Sequence, residues 1–243
     1  FNSARTLRDT IESIIQQDYE NIEYIIIDGG STDGTLEIIK EYKAKINYSI
    51  SEKDNGIYDA MNKGIEVATG DIVGILNSDD FYPNSFILSN VASSFKKYHC
   101  DAVYGDLVYV KPDNVSKITR YWQAGEYSTS RIKNGWMLPH PTFFVRKDVY
   151  SRYGLYDTGL KSAADYQMIL KLLYKHNIAV YYMPMILVNM RLGGESNRSF
   201  WNRIKANKED SLAWTKNQLN KPMLIRLKKP LQKLRQFFLK PDI

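Results

Sequence analysis

Short apolar runs alternate with stretches of helical spacing through the first hundred residues. Leu7, Ile11, Ile14 and Ile15 fall on one helical face, and "IEYIIID" (22–28) follows as a run suited to a strand buried on both faces. "GGSTDGT" (29–35) is dense in turn and capping residues, after which "LEIIKEY" resumes helical spacing. "INYSIS" (46–51) reads as a strand, "IYDAMNKGIEVA" (57–68) sets Met61, Ile65 and Ala68 on one stripe, and "DIVGILN" (71–77) is a strand again. Strands alternating with helices predict parallel pairing and an α/β fold.

Beyond about residue 100 the pattern changes to "DAVYGDLVYV" and then to irregular, aromatic-rich sequence. A strong helix is expected over "AADYQMILKLLYKHN" (163–177) and a strand-like pair within 178–191. No repeat or low-complexity linker divides the chain, so the pattern predicts one domain over 1–200 and a tail over 201–243. The opening "FNSARTL" has the character of a strand end entering a helix, which places the first strand of such a fold upstream of Phe1.

Composition changes this picture in one respect. Residues 201–243 carry 11 Lys or Arg against 3 Asp or Glu, whereas 1–200 carry 22 against 24, so the net charge of +6 belongs to the tail. The single cysteine, Cys100, excludes an internal disulfide and reads as a buried thiol. No apolar run approaches the roughly 18 residues that span a bilayer, and no signal sequence is visible. The expectation is a cytoplasmic protein, with a peripheral place on the inner face of the plasma membrane if the tail seeks lipid.

Candidate chemistry gathers at the predicted strand ends. Ligands of open α/β sheets bind beyond the carboxyl ends of the strands, and Asp28, the stretch Ser51 to Asp54, and "NSDD" (77–80) all fall there. Adjacent carboxylates at Asp79 and Asp80 repel unless compensated. Either they hold Mg²⁺ or Mn²⁺ carrying substrate phosphates, or one of them caps the helix expected near Pro83.

Five segments carry a resemblance: "IEYIIIDGGSTDGT", "DNGIYDAMNKGIEVATGDIVGILNSDD", "HPTFFVRKDVYSRYGLYD", "ADYQMILKL" and "GGESN". In this order and spacing the chain resembles the family 2 glycosyltransferases, of the colanic-acid and exopolysaccharide type, over residues 1 to about 200. The resemblance implies a GT-A (Rossmann-like) fold, a mixed, mainly parallel sheet flanked by helices. It implies a nucleotide-sugar donor, a UDP-sugar first, a Mn²⁺ or Mg²⁺ cofactor, and transfer with inversion to a hydroxyl of a lipid-linked or cell-surface glycan.

Residue by residue, the resemblance assigns the nucleoside to Asp28, with Gly29, Gly30 and Ser31 admitting the backbone, and to Asp54 in "EKDNG". Asp33 reads as a helix cap. Lys63 holds phosphate or is solvated on its helix. "LNSDD" stands where the family usually has "LDADD", so Asp79 matches the metal-binding carboxylate, Asn77 replaces the first aspartate, and Ser78 lies between them on the nucleotide side. Asp80 orients Asp79, touches the donor sugar, or caps a helix. Asp165 matches the base that deprotonates the acceptor hydroxyl; read locally it is equally a capping carboxylate. His140, fixed between Pro139 and Pro141, is structural or lies near donor or acceptor sugar. "RLGGESN" (191–197) resembles a mobile loop over bound donor, with Arg191 and Arg198 reaching diphosphate or solvent. The processive "QxxRW" is absent, so transfer of a single hexosyl or acetamidohexosyl unit is expected.

The tail "KPMLIRLKKPLQKLRQFFLK" (221–240) sets Met223, Leu227, Leu231, Leu234 and Phe238 at helical spacing among lysines and arginines. Two destinations fit: an anionic membrane interface, or the surface of the domain or of a second subunit. Pro230 predicts two short helices rather than one. Nucleic acid is disfavoured because the aromatics belong to the apolar stripe. Two rival functions stand beside the transferase: a non-catalytic membrane or assembly protein that keeps the fold, and a sugar nucleotidyltransferase, which the lack of a glycine-rich basic loop disfavours.

Overall fold

The computed structural model describes residues 1–193, 200–223 and 225–241. Helices α1 (Leu7–Ile15), α2 (Thr35–Glu41) and α3 (Ile57–Val67) alternate with strands β1 (Ile25–Asp28), β2 (Tyr48–Ser51) and β3 (Ile72–Val73). After α4 (Ile87–Tyr98) come the long strands β4 (Ala102–Lys111) and β5 (Asn114–Trp122), then α5 (Thr129–Lys133), β6 (Phe144–Arg146) and α6 (Lys147–Tyr153). α7 (Ala164–Ile169), β7 (Val180–Arg191), α8 (Phe200–Lys216) and α9 (Ile225–Leu234) complete the order.

β1 and β2 form a parallel pair. The larger sheet runs β3-β6-β4-β5, and β7 also pairs with β4. In it only β4–β7 is parallel; β3–β6, β6–β4 and β4–β5 are antiparallel. The parallel pairing expected through the first hundred residues holds for β1 and β2 only; β3 joins the second sheet, antiparallel to β6, so that sheet is mainly antiparallel rather than mainly parallel. The region 178–191 is one strand rather than a pair, and β5 returns from β4 where no alternating pattern marks it.

A cavity of about 2260 Å³ runs between β1 and β3, walled by Ile25, Ile26 and Ile27 on one side and Ile72, Val73 and Ile75 on the other. Small-molecule pockets occupy roughly 300–1,000 Å³, so this one joins a ligand crevice at the strand ends to an apolar gap between the two sheets.

β4 is the core of the molecule, buried along nearly its whole length. Its Gly105 sits where the β4–β7 register shifts, and an added Cβ would meet Leu187 Cγ at 2.6 Å and the Met185 carbonyl oxygen at 2.8 Å. The same glycine holds the turn His140–Thr142. Its N–H donates to Thr142 Oγ1 at 3.3 Å, and that hydroxyl lies 2.9 Å from its carbonyl oxygen.

Part of the tail packs on the domain, but of the apolar stripe expected to do so Met223 and Phe238 are exposed and the side chains of Leu227, Leu231 and Leu234 lie outside the described residues. Ala213, Trp214 and Ile225 are buried, and the close approach at Gly135 (φ +88°) would put a Cβ there 2.6 Å from Lys229 N. α9 runs through Pro230 as one helix. Burial of Ile225 and Lys229 on the domain outweighs the one backbone bond that the proline removes. Met223 and Phe238 remain exposed. Among the described residues no helix is long and apolar enough to cross a membrane.

Gly105→Ala is expected to lower the unfolding midpoint in chemical denaturation, by about 1–3 kcal/mol of stability, because a backbone oxygen cannot rotate away from the added methyl. An unchanged midpoint would mean that β7 moves freely relative to β4.

Candidate functional site

Six elements deliver polar side chains to one crevice. Asp28 ends β1, Asp54 lies in the β2–α3 loop, and Asn77, Ser78 and Asp79 follow β3. His140 opens the turn before β6, Asp165 stands in the first turn of α7, and Arg191 ends β7; all line the same cleft. Gly30, Lys63 and Asp80 are not among its lining residues, and Arg198 lies outside the described residues.

Asp28 is buried and saturated. Its Oδ2 accepts from Gly30 N (3.1 Å), Ser31 N (2.8 Å) and Ser51 Oγ (2.6 Å), and its Oδ1 accepts from Ser31 Oγ. Burial alone would raise its pKa, but the bonds from Ser31 and Ser51 outweigh it and hold the carboxyl below its usual range. Asp54 accepts from Gly56 N at 2.9 Å and packs against Gly29, where a Cβ would strike its carboxylate. Asp33 accepts from Ala4 N (3.1 Å), Thr35 N (3.2 Å) and Thr35 Oγ1 (2.5 Å), so it ties the turn before α2 but is not its cap: the N-cap is Gly34, without a side-chain bond. Lys63 pairs with Glu52 at 2.7 Å and with Asp59 at 3.7 Å, which commits its charge to the rim of α3.

The Asn77–Asp80 turn contains two unlike carboxylates. Asp80 is buried, accepts from Asn77 Nδ2 (3.0 Å) and Arg191 N (3.3 Å), and is pushed up to about 7 by burial and by the charge of Asp79. It supports the turn from inside. Asp79 is half-buried and its pKa is raised by burial; apart from its own backbone N–H no described residue donates to its carboxylate. Neither residue caps α4, whose N-cap is Phe86 without a side-chain bond. Ser78 Oγ lies 2.6 Å from Ser3 Oγ, and its carbonyl accepts from Thr6 and Thr10.

Arg191 is spoken for. Nη1 donates to the Asp79 carbonyl (2.8 Å), Nη2 pairs with Asp9, and the guanidinium lies over Phe81 at 4.7 Å. It braces the aspartate turn against α1 and β7.

Across the cleft stands Asp165. Oδ1 accepts from Tyr58 OH at 3.0 Å, and Oδ2 lies 3.1 Å from His140 Nδ1. Burial would raise this carboxyl, yet the His140 imidazole overrides it and holds it down to about 2. Burial lowers His140 in turn, and Asp165 more than restores it, so the imidazole titrates above its ordinary value. Each partner thus favours the ionised form of the other. Tyr58 was not legible as a site residue, because its ring also belongs to the apolar stripe of α3 and stacks on Tyr156 at 5.9 Å. Arg5, Lys53 and Lys161 also line the cleft and carry no motif that singles them out.

No group of three or more His, Cys, Asp or Glu able to hold a metal occurs among the described residues. A cation here would therefore take one protein carboxylate and complete its shell from substrate oxygens, the habit of Mg²⁺ at phosphates. Asp79 fits that donor set: it faces the cleft, is partly desolvated, and lacks another residue's donor.

Known proteins resemble the chain in sequence and fold. A PGL/p-HBAD biosynthesis glycosyltransferase of Mycobacterium bovis is 27% identical over 201 residues, 81% of this chain and 76% of that one. The crystal structure of S. aureus TarS 1-349 in complex with UDP-GlcNAc superposes with a TM-score of 0.69 at 17% identity, covering 97% of this chain and 70% of that one. Of a longer TarS chain this one spans 41%. The mannosyltransferase PcManGT from Pyrobaculum calidifontis, in complex with GDP-Man and Mn²⁺, gives a TM-score of 0.68 at 17% identity, covering 96% and 70%. These structural likenesses show the GT-A fold. Residues 1–154 match the family model described as glycosyl transferase family 2, and the chain belongs to that family of glycosyltransferases.

Proposed function

We propose that the chain transfers a single hexosyl or acetamidohexosyl unit from a nucleotide-sugar, a UDP-sugar first, to a hydroxyl of a lipid-linked or cell-surface glycan, with inversion. The observation that carries this reading is the pair of carboxylates across one cleft. Asp165 is kept ionised chiefly by His140 and bonded by Tyr58, while no side chain among the described residues donates to the Asp79 carboxylate. The solved complexes of similar fold with UDP-GlcNAc and with GDP-Man and Mn²⁺ support a nucleotide-sugar donor.

In this reading Asp165 takes the proton of the acceptor hydroxyl as the oxygen attacks the anomeric carbon from the face opposite the diphosphate. His140 and Tyr58 hold the carboxylate in place. Asp28 and Asp54 shape the nucleoside end of the crevice, where Gly29 lets the two loops touch. Asp79 is the residue that would hold Mn²⁺ or Mg²⁺, whose charge offsets that of the departing diphosphate. Asp80, Asn77 and Arg191 act from behind by fixing the turn that presents Asp79.

Calorimetric titration with UDP and GDP, each with Mn²⁺, with Mg²⁺ and with EDTA, tests the donor side. Metal-dependent binding of one nucleotide is expected, weakened by roughly tenfold or more in Asp79→Ala; equal affinity with and without metal would overturn the role of Asp79.

On the acceptor side, Asp165→Asn should cut kcat about 100- to 10,000-fold with little change in donor binding. His140→Asn should move the acid limb of kcat/KM to higher pH. Removing the imidazole takes away the largest influence opposing burial, so the Asp165 pKa rises from about 2 and the base is lost on acidification at a higher pH than in wild type. An unmoved acid limb would show that His140 does not set the state of Asp165.

A further inference from the structure

The helix that carries Asp165 is poorly equipped to hold itself. α7 has six residues, its N-cap is Ala163 with no capping side chain, and after Ile169 it loosens into a π-helical stretch, Leu170–Lys175. A helix this short is marginal without tertiary support, and its first N–H groups need acceptors from elsewhere.

α8 and α9 supply that support. The Glu209 carboxylate, 9% exposed, accepts from Lys161 N (3.1 Å), Ser162 N (2.7 Å) and Ser162 Oγ (2.9 Å), the loop that leads into α7. Bonds to an ionised acceptor are roughly twice as strong as neutral ones. One turn along α8, Trp214 Nε1 donates to Tyr166 OH at 3.0 Å. Asn217 grips Gln167 reciprocally: Gln167 Nε2 donates to Asn217 Oδ1 at 2.8 Å, and Asn217 Nδ2 donates to the Gln167 carbonyl at 2.9 Å. From α9 the buried Lys229 ammonium lies over the Tyr166 ring at 3.6 Å and pairs with Asp210 on α8 at 2.7 Å. Tyr166 and Gln167 directly follow Asp165, so the clamp closes on both sides of that residue.

We propose that the C-terminal helices are the positioning element of the acceptor-activating centre: Glu209, with Asn217 and Lys229, fixes the loop and first turn from Lys161 to Gln167 so that Asp165 meets His140 and Tyr58. Glu209 is the principal positioning residue, because it binds the loop on which the direction of α7 depends. The segment lies beyond residues 1–154 of the family match, and its own sequence shows only a basic tail. The inference rests on the reading above only in taking Asp165 as the proton acceptor.

The experiment reads His140 directly. The chain has three histidines, so their imidazole signals are separable by NMR with His99→Gln and His176→Gln as assignment controls. Among the described residues the groups that face the pair are Tyr58 from α3, Asp80 from the turn after β3, Tyr156 from the loop after α6, and Lys229 and Lys233 from α9, and none of these is altered in the principal variant. In wild type, His140 titrates above the ordinary imidazole value because Asp165 is beside it. In Glu209→Gln, with circular dichroism and nucleotide affinity retained, the His140 midpoint should fall toward the ordinary value and kcat should drop at least ~10-fold, while the KM for donor stays within about twofold. Should Glu209→Gln fail to fold, Ser162→Ala, which removes one bond of the clamp and leaves α8 intact, is expected to shift His140 in the same direction by a smaller amount. A His140 titration identical to wild type in the folded variant would overturn the proposal. Full transfer by Asp165→Asn would instead overturn the base assignment, and the two failures are read from different variants.

Discussion

A carboxylate taken out of water has to be met by donors, by a cation or by a proton, and this cleft contains each solution side by side. Asp28 is met by backbone and hydroxyl donors, Asp165 by an imidazole and a phenol, and Asp80, behind the cleft wall, by an amide, a backbone N–H and a pKa pushed up to about 7. Asp79 is the exception, partly desolvated, with the charge of Arg191 nearby but no side-chain donor among the described residues. The carboxylates in and behind the crevice thus sort into three that organise the protein or are held ready by it, and one left to face the cleft.

The scaffold that enforces this sorting is the long strand β4. Gly105 gives its peptide to the Thr142 hydroxyl and thereby fixes the turn that begins with His140. Two residues on, Leu107 is fully buried, and between them Asp106 accepts from Tyr121 (2.5 Å), Tyr182 (2.8 Å) and Ala124 N (2.8 Å), tying β5, β7 and the loop after β5 to one point. The parallel neighbour β7 ends in Arg191, which braces the aspartate turn. The position of His140 against Asp165, and of Asp79 opposite both, follows from one strand and what its polar groups hold.

Much of this was legible in the sequence and some of it could not have been. Helical stripes predict α1, α2 and α3 close to their observed bounds because each has a single buried face, whereas the helix expected over 163–177 is α-helical only over Ala164–Ile169 and continues as a π-helical stretch. The strand-end rule gathers Asp28, Asp54 and Asp79 into one region, and the resemblance adds His140 and Asp165. β5 escaped because five of its nine residues are neither fully exposed nor fully buried and the other four are exposed, so no alternation marks it. Arg191 reads from the sequence as reaching diphosphate or solvent; its engagement with Asp9 and with the Asp79 carbonyl depends on contacts between residues more than a hundred positions apart. Tyr58 and Glu209 escaped for the same reason, since a phenol on an apolar stripe and an acid in a basic tail look like packing and solvation until their partners are known.

The departure at Asn77 acquires a physical sense from the same constraint. Its amide donates to Asp80 Oδ2 at 3.0 Å, inside a pocket where Asp80 is already strained by burial and by Asp79. An aspartate at position 77 would set another carboxylate against Asp80, whose pKa is already pushed up to about 7, and the two would have to share a proton. The amide removes that conflict by supplying a donor where a second acid would repel. The turn thereby spends its tolerance for uncompensated charge on Asp79 alone, which is the one carboxylate of the group that faces the cleft.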